Sequence, residues 1–475
     1  MTIGRNDAWA LGRLDAHAQA ALVRNGTLPP EALVEAAILR IEELDPRLNS
    51  VSYRAFDHAR AACRTLDRST ALAGVPTLLK ASLAFAGFPL TSCSRAQRDL
   101  VATTTYPYAE RLVAEGLVPI GMSTMPEYGL LCSGEPLLTG PTLNPWNAGR
   151  SAGGSSTGAA VAVAAGLVPI AHASDAGGSI RIPAGNCGVV GFKPSRGWNL
   201  RARSHHLIDD LLCSDSMIGR SMRDVAWAAR VERPADLSWR TEERRPLTIA
   251  LDMAGLDGDP DVAVAAQIHH GADLLRSLGH RVTALSVPYD RSALRDAFLT
   301  LMPYLGGAVV DHVSALHPGV ALEDLLEPWT IGLWRKRQSI PAERLGHCYA
   351  AIGQAIRIAD DFHREWDVVL SPVARTLPLE LGRMAPTQPF EALWTTLFDY
   401  IDYTPVHNML GLPSISVPLG MVDGLPVGTL LSAGHGCDER LLTLAGQLEE
   451  AAPWGDRWPA IVPGATRGGD HTRLD

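Results

Sequence analysis

The chain has 475 residues, 46% hydrophobic and 20% charged, with a formal net charge of −9. This is globular composition, long enough for one large domain or several small ones. Its modest, dispersed acidic excess excludes an electrostatic draw toward nucleic acid or an anionic membrane surface.

The opening stretch, "MTIGRNDAWALGRLDAHAQAALVRNG", has no apolar segment of the kind a secretory signal needs. Amphipathic helices are expected over residues 8–24 and 30–44, the second opened by prolines and glutamates that a helix start tolerates. "AGVPTLLKAS" predicts a short buried strand ending at Lys80. "YAERLVAEGLVPIGMST" predicts helix, turn and strand. "AAVAVAAG" then reads as helix and "LVPIAHASD" as strand, an alternating α/β rhythm. The longest apolar run, Ala159 to Ala171, contains Gly166 and Pro169 and is too short to span a bilayer. A second such unit is "PDVAVAAQIHHGADLLRSLGHRVTALSVP", with Gly279 as a helix stop. Residues 290–365 read as helical, and "LEPWTIGLWRKRQ" within them is expected to pack or to line the outer wall of a pocket. Strands follow in "WDVVLSP", "SISVPLG" and "GTLLSAG", then a closing helix in "DERLLTLAGQLEEA". Residues 464–475 are expected to fray. With no repeat, heptad run or low-complexity linker, the expectation is a single domain over 1–475. Seven cysteines, an odd count without a CxxC pair, point to reduced thiols in the cytoplasm.

Two glycine loops carry serines in a nearly uncharged stretch. The second, Ala176-Gly177-Gly178-Ser179, follows the strand that stops at Asp175. Glycines let successive N–H groups converge on one concavity, which suits a developing oxyanion. Ser179 at its end is placed as a nucleophile, and a serine hydroxyl needs a base. No histidine lies beside either loop except His172, inside the predicted strand. The first loop, Gly153-Gly154-Ser155-Ser156, supplies Ser155, whose hydroxyl can both accept and donate. It could relay a proton from Ser179 to Lys80, whose burial at the end of an apolar strand would favour a neutral amine. Taken singly, each loop also reads as an ordinary turn and Lys80 as a solvated lysine. Gly154-Ser155-Ser156-Thr157-Gly158 matches G-x-S-x-G, the nucleophile elbow, but "NPWNAGRSAG" before it reads as coil where the elbow needs a strand. A P-loop is excluded because no Lys-Ser/Thr follows the glycines.

These residues resemble the amidase signature hydrolases. The resemblance runs through "GVPTLLK", "GPTLNPW", "GGSST", "AVAAGLVPIAHASDAGGSIRIPAGNCGVVGFKPSRG", "DVVLSPV" and "NMLGLPSISVPLG", most of the chain, with a signature core at about 74–200. It implies an α/β fold, a central twisted mixed β-sheet surrounded by α-helices. It implies amide hydrolysis through an acyl-enzyme, with Ser179 as nucleophile, Ser155 as the cis-peptide serine and Lys80 as base. The N–H groups of Ala176, Gly177, Gly178 and Ser179 would form the oxyanion hole. Asp175 and Arg181 would brace the loop, the alternative being a plain surface ion pair. "PEYGLLCSGEP" (residues 126–136) aligns with a pocket-lining loop in relatives, which makes Cys132 and Ser133 substrate-contact candidates. The variable region at about 290–365 would select the substrate.

The chain departs from the family's pattern in three places. Ala81 stands where an aspartate commonly follows the lysine, Gly121-Met122-Ser123-Thr124 replaces "GKTN", and Gly185-Asn186 replaces bulkier residues. None removes a reacting group. His205-His206 with Asp209-Asp210, and His269-His270, lack zinc-type spacing, so no metal and no cofactor is expected. The expected partner is a small-molecule amide, with no nucleic acid and no membrane, and a homodimer stays open. The resemblance extends to bacterial amidases of the nylon-oligomer cyclic-dimer hydrolase type. Two alternatives remain at this point: acyl transfer to an amine from the same acyl-enzyme, and an amidotransferase-like subunit that needs partner proteins.

Overall fold

A computed structural model of the chain describes residues 3–201, 207–238 and 242–465. Most of the C-terminal stretch expected to fray, and His205-His206, lie outside the described residues.

Among the described residues, eleven strands form one sheet. In chain order they are β1 (Val51–Arg54), β2 (Pro76–Lys80), β3 (Val118–Ser123), β4 (Ile170–Asp175), β5 (Val190–Lys193), β6 (Ser214–Gly219), β7 (Thr248–Leu251), β8 (Arg281–Ala284), β9 (Val368–Pro372), β10 (Ser414–Val422) and β11 (Leu425–Ala433). Their order across the sheet is β1-β3-β2-β4-β6-β5-β10-β11-β9-β7-β8. The pairs β3/β2, β2/β4, β9/β7 and β7/β8 are parallel and the remainder antiparallel. The sheet is therefore mixed, and its strands β2, β3, β5, β6, β9 and β11 are buried along their whole length. That is how strands covered by helices on both faces read.

The expected helices form, with two instructive differences, and Phe56–Ala62, Met222–Val231 and Phe390–Tyr400 add helices that were not expected. One helix was expected over residues 8–24, yet two form, Arg5–Gly12 and Ala16–Arg24. Asp15 breaks the run because its carboxylate accepts from Ala18 N at 2.8 Å, capping the second helix. The other difference is a short helix, Arg181–Cys187, placed directly after the second glycine loop. Pro183, Gly185 and Asn186 hide it from a propensity reading. Gly185 earns its place by packing: a Cβ there would lie 3.3 Å from Gly428 Cα, so the helix presses directly on β11.

The helix Thr157–Ala164 is buried on every side. Its alanines and valines join Leu78 of β2, Ala171 of β4, Val168 and Ile218 in one apolar cluster. This helix and the two parallel strands fix the two glycine loops relative to Lys80.

Candidate active site

In parallel β-structure, functional groups gather at the carboxyl ends of strands. Here β2 ends at Lys80 and its parallel neighbour β4 ends at Asp175, with Thr77 opposite Ile170 and Leu78 opposite Ala171. The second glycine loop leaves β4 at that same edge. The first is drawn to it by a backbone hydrogen bond from Ser156 N to Ser179 O of 3.1 Å.

Lys80 is fully buried. Its Nζ lies within hydrogen-bond distance of three hydroxyls, Ser155 Oγ at 2.8 Å, Ser174 Oγ at 2.9 Å and Ser156 Oγ at 3.0 Å. The strand is held from behind as well, because Lys80 N donates to His172 Nδ1 at 3.2 Å. The Gly154–Ser155 peptide is cis. Gly154 is needed there because a Cβ would come within 3 Å of the backbone of Leu131, Cys132 and Ser133. Ser156 is wholly buried and its Oγ donates to Ser174 O at 3.1 Å. Its hydroxyl is turned into this cage, and no strand immediately precedes it, so the G-x-S-x-G match does not build a nucleophile elbow.

Asp175 organises the second loop. Its carboxylate accepts from Gly178 N (2.7 Å), Ile180 N (3.0 Å) and Asn408 Nδ2 (2.9 Å). It also receives a two-pronged contact from Arg181, Nε to Oδ2 at 2.9 Å and Nη2 to Oδ1 at 2.8 Å. Both side chains are inaccessible to water, so the surface ion-pair alternative does not apply. Burial alone would push the Asp175 carboxyl up, but the Arg181 guanidinium and these donors outweigh it and hold it well below the ordinary range. Arg181 spends its remaining donors on Asn408 Oδ1, Thr404 O and Ser414 Oγ. Thr404 Oγ1 in turn donates to Gly177 O at 2.7 Å.

This arrangement corrects one expectation. Gly178 was to share in an anion-binding nest, but its N–H is committed to Asp175. The backbone N–H groups of Ala176, Gly177 and Ser179 have no such partner among the described residues.

Lys80, Ser155, Ala176, Gly177 and Ser179 line one cavity of about 640 Å³, a size that suits a small to medium organic substrate. No hydrogen bond joins the Ser155 and Ser179 hydroxyls among the described residues, although both face this cavity; such contacts commonly tighten only with substrate bound. Cys132 lines the cavity and Ser133 does not. Ser133 is the second correction: its hydroxyl donates to Glu135, while its backbone packs on Gly154. The helix Arg291–Leu316 contributes Phe298, Met302, Leu305, Val309 and His312 to the wall. Trp329, by contrast, packs inside, stacked on Phe390 with its indole N–H on Leu130 O. A second buried lysine, Lys193, is pushed down to about 7 by burial, but it donates to Pro194 O and does not reach the cavity. Among the described residues no cluster of His, Cys, Asp or Glu could hold a metal ion, and no helix is long and apolar enough to cross a membrane.

Sequence reasoning missed Ser174, Thr404, Asn408 and Ser414. Ser174 stands one residue before Asp175 and could have been suspected from the strand's end. The other three lie more than 220 residues from the loop they brace and carry no local signal.

A mixed sheet with a buried lysine–serine cage opening on a deep, largely apolar cavity defines an enzyme of the amide-hydrolase type. The sequence matches the Amidase family over residues 32–442. It is 34% identical over 458 residues to a putative amidase, AmiC, of Mycobacterium tuberculosis, covering 94% of this chain and 96% of that protein. It is 33% identical over 494 residues to the 6-aminohexanoate-cyclic-dimer hydrolase of a Pseudomonas strain, covering 94% and 97%. The structure of a 6-aminohexanoate cyclic dimer hydrolase complexed with substrate superposes with a TM-score of 0.86 at 30% identity, covering 96% of this chain and 100% of that one. A bacterial aryl acylamidase of the amidase signature family superposes with a TM-score of 0.82 at 27% identity, over 93% and 96% of the two chains. The chain belongs to the amidase family, has the amidase signature fold, and is a hydrolase of amide carbon–nitrogen bonds.

Proposed function

We propose that the chain hydrolyses a small or medium carboxamide through a seryl acyl-enzyme, with Ser179, Ser155 and Lys80 as its reacting groups. The observation that carries this reading is the 2.8 Å contact from Lys80 Nζ to Ser155 Oγ at the floor of a cavity that Ser179 also lines. Ser179 Oγ attacks the carbonyl carbon, Ser155 takes its proton and passes its own to Lys80 Nζ, and the carbonyl oxygen becomes an oxyanion. The N–H groups of Ala176, Gly177 and Ser179 are the available donors for it, and each such donor is worth about 10²–10³ in rate. The relay then runs backward to protonate the leaving nitrogen, the C–N bond breaks, and water releases the acid by the same sequence. Lys80 serves this cycle as an uncharged amine that receives a proton. Asp175 and Arg181 touch no substrate in this reading and hold the loop in shape.

The test is hydrolysis of a chromogenic anilide by the purified chain alone. Turnover without any partner, lost in Ser179→Ala, is the expected result. Turnover retained in Ser179→Ala, or appearing only with an added protein, would contradict it.

A further inference from the structure

The helix Arg291–Leu316 presents one continuous apolar stripe to the cavity: Phe298, Met302, Leu305 and Val309, followed by His312. Their spacing keeps all five on one helix face. Burial falls steadily along it. Phe298 is 2% and Met302 8% exposed, Leu305 and Val309 are half-buried, and His312 is exposed. The stripe therefore has a closed inner end and an open outer end. Its inner end sits on the nucleophile loop, since a Cβ at Gly177 would lie 2.8 Å from Phe298 Cζ. At 1.5 Å per residue, the 14 steps from Phe298 to His312 span about 21 Å. Leu90, Met125, Leu130 and Leu131 line the same cavity.

Charge is scarce in this wall. Among the described residues the formally charged lining groups are Lys80, Asp175 and Asp209. Lys80 is enclosed by serine hydroxyls, Asp175 is paired with Arg181, and Asp209 lies 3.9 Å from Arg201. Each of the three therefore has a polar or charged neighbour within the protein.

We propose that the cavity takes an uncharged, unbranched apolar chain, laid along this stripe and joined at its inner end to the scissile amide. This rests on the assignment of the catalytic end to Ser179, and it names the substrate class for that same site. Burying each further methylene along the stripe should tighten binding about fourfold until the chain reaches the mouth. Phe298, Met302, Leu305 and Val309 are then the specificity-determining side chains, acting in order of depth.

The test reads binding, so that it stands apart from turnover. The Ser179→Ala chain is titrated calorimetrically with two homologous series, 4-nitroanilides of lengthening linear acids and acetamides of lengthening linear amines. In one of the two series affinity should rise about fourfold per methylene and then level off. Val309→Trp, at a half-exposed position that tolerates the larger ring, should end the rise at a shorter chain. Leu305→Trp, one turn deeper, should end it sooner still. Flat affinities in both series, equal binding of chains ending in carboxylate or ammonium, or Trp variants that leave the cut-off in place would overturn the proposal. Chains that bind in this order but are never cleaved by the wild-type protein would instead defeat the acyl-enzyme reading.

Discussion

Thr404→Val isolates how the proposed oxyanion donors are aimed. The Gly177–Gly178 peptide is held at both polar ends: Thr404 Oγ1 donates to Gly177 O at 2.7 Å, and Gly178 N donates to Asp175 Oδ1 at 2.7 Å. Pinning that plane leaves the flanking N–H groups of Gly177 and Ser179 without a hydrogen-bond partner among the described residues. Valine keeps the shape of threonine and removes the outer pin. Leaving a buried carbonyl without its donor costs about 1–3 kcal/mol of stability, out of a total of order 5–15 kcal/mol, so the variant folds. The catalytic cost is bounded above by the ~10²–10³ lost when a donor is removed outright. A loosened donor should lower kcat by about tenfold to a hundredfold. Thr404 does not line the cavity, so ground-state binding and KM should stay unchanged. The assay is steady-state hydrolysis of one anilide, beside a urea melt, with Thr404→Ser restoring the hydroxyl and the rate. An unchanged kcat accompanied by the stability loss would refute the reasoning, as would a loss confined to KM.

Lys80→Met should keep the buried volume and lower kcat by several orders of magnitude, with the far-ultraviolet circular dichroism unchanged; activity within tenfold of wild type would argue for another base. Gly178→Ala should inactivate or unfold the chain, because Gly178 has φ +128° and a Cβ there meets Thr404 Oγ1 at 2.3 Å and Ile182 Cδ1 at 2.5 Å; soluble yield and turnover report it. Glu232 supplies a pH test. Burial pushes its carboxyl from the ordinary 4.5 up to about 8, against hydrogen bonds from Tyr108 and Ser216. A raised carboxyl stabilises the fold fully below about 4.5, progressively less as pH rises, and not at all above about 8. Urea midpoints should thus fall between pH 5 and 9, and Glu232→Gln should make that fall smaller; an equal fall in both would contradict it.

Much of the candidate site's arrangement was legible because its residues lie at the ends of locally readable segments. Lys80 ends an apolar run that could only be a buried strand, and the loop from Ala176 to Ser179 follows the next. What stayed hidden is what the sheet brings from afar. β6, "SDSMIG", is polar by composition and yet buried throughout. It tolerates this because Ser216 donates to Glu232, and the Asp215 carbonyl accepts from Asn199. Thr404, Asn408 and Ser414 reach Gly177, Asp175 and Arg181 only because the short helix Pro405–Leu410 and β10 fold back over the loop. Gly178 had the right composition for a nest, but a buried carboxylate three residues earlier competes for its N–H, and that contest is decided by geometry. Ser133 was misplaced for a similar reason, since Glu135 captures its hydroxyl.

In the proposed cycle the hydroxyl at position 179 is the one activated through Ser155 by Lys80. Labelling with a fluorophosphonate followed by peptide mapping tests it most directly. The adduct should fall on the peptide containing Ser179, be absent in Ser179→Ala, and form orders of magnitude more slowly in Lys80→Met. An adduct on Ser156, or labelling of Ser179 at an undiminished rate without the lysine, would contradict it.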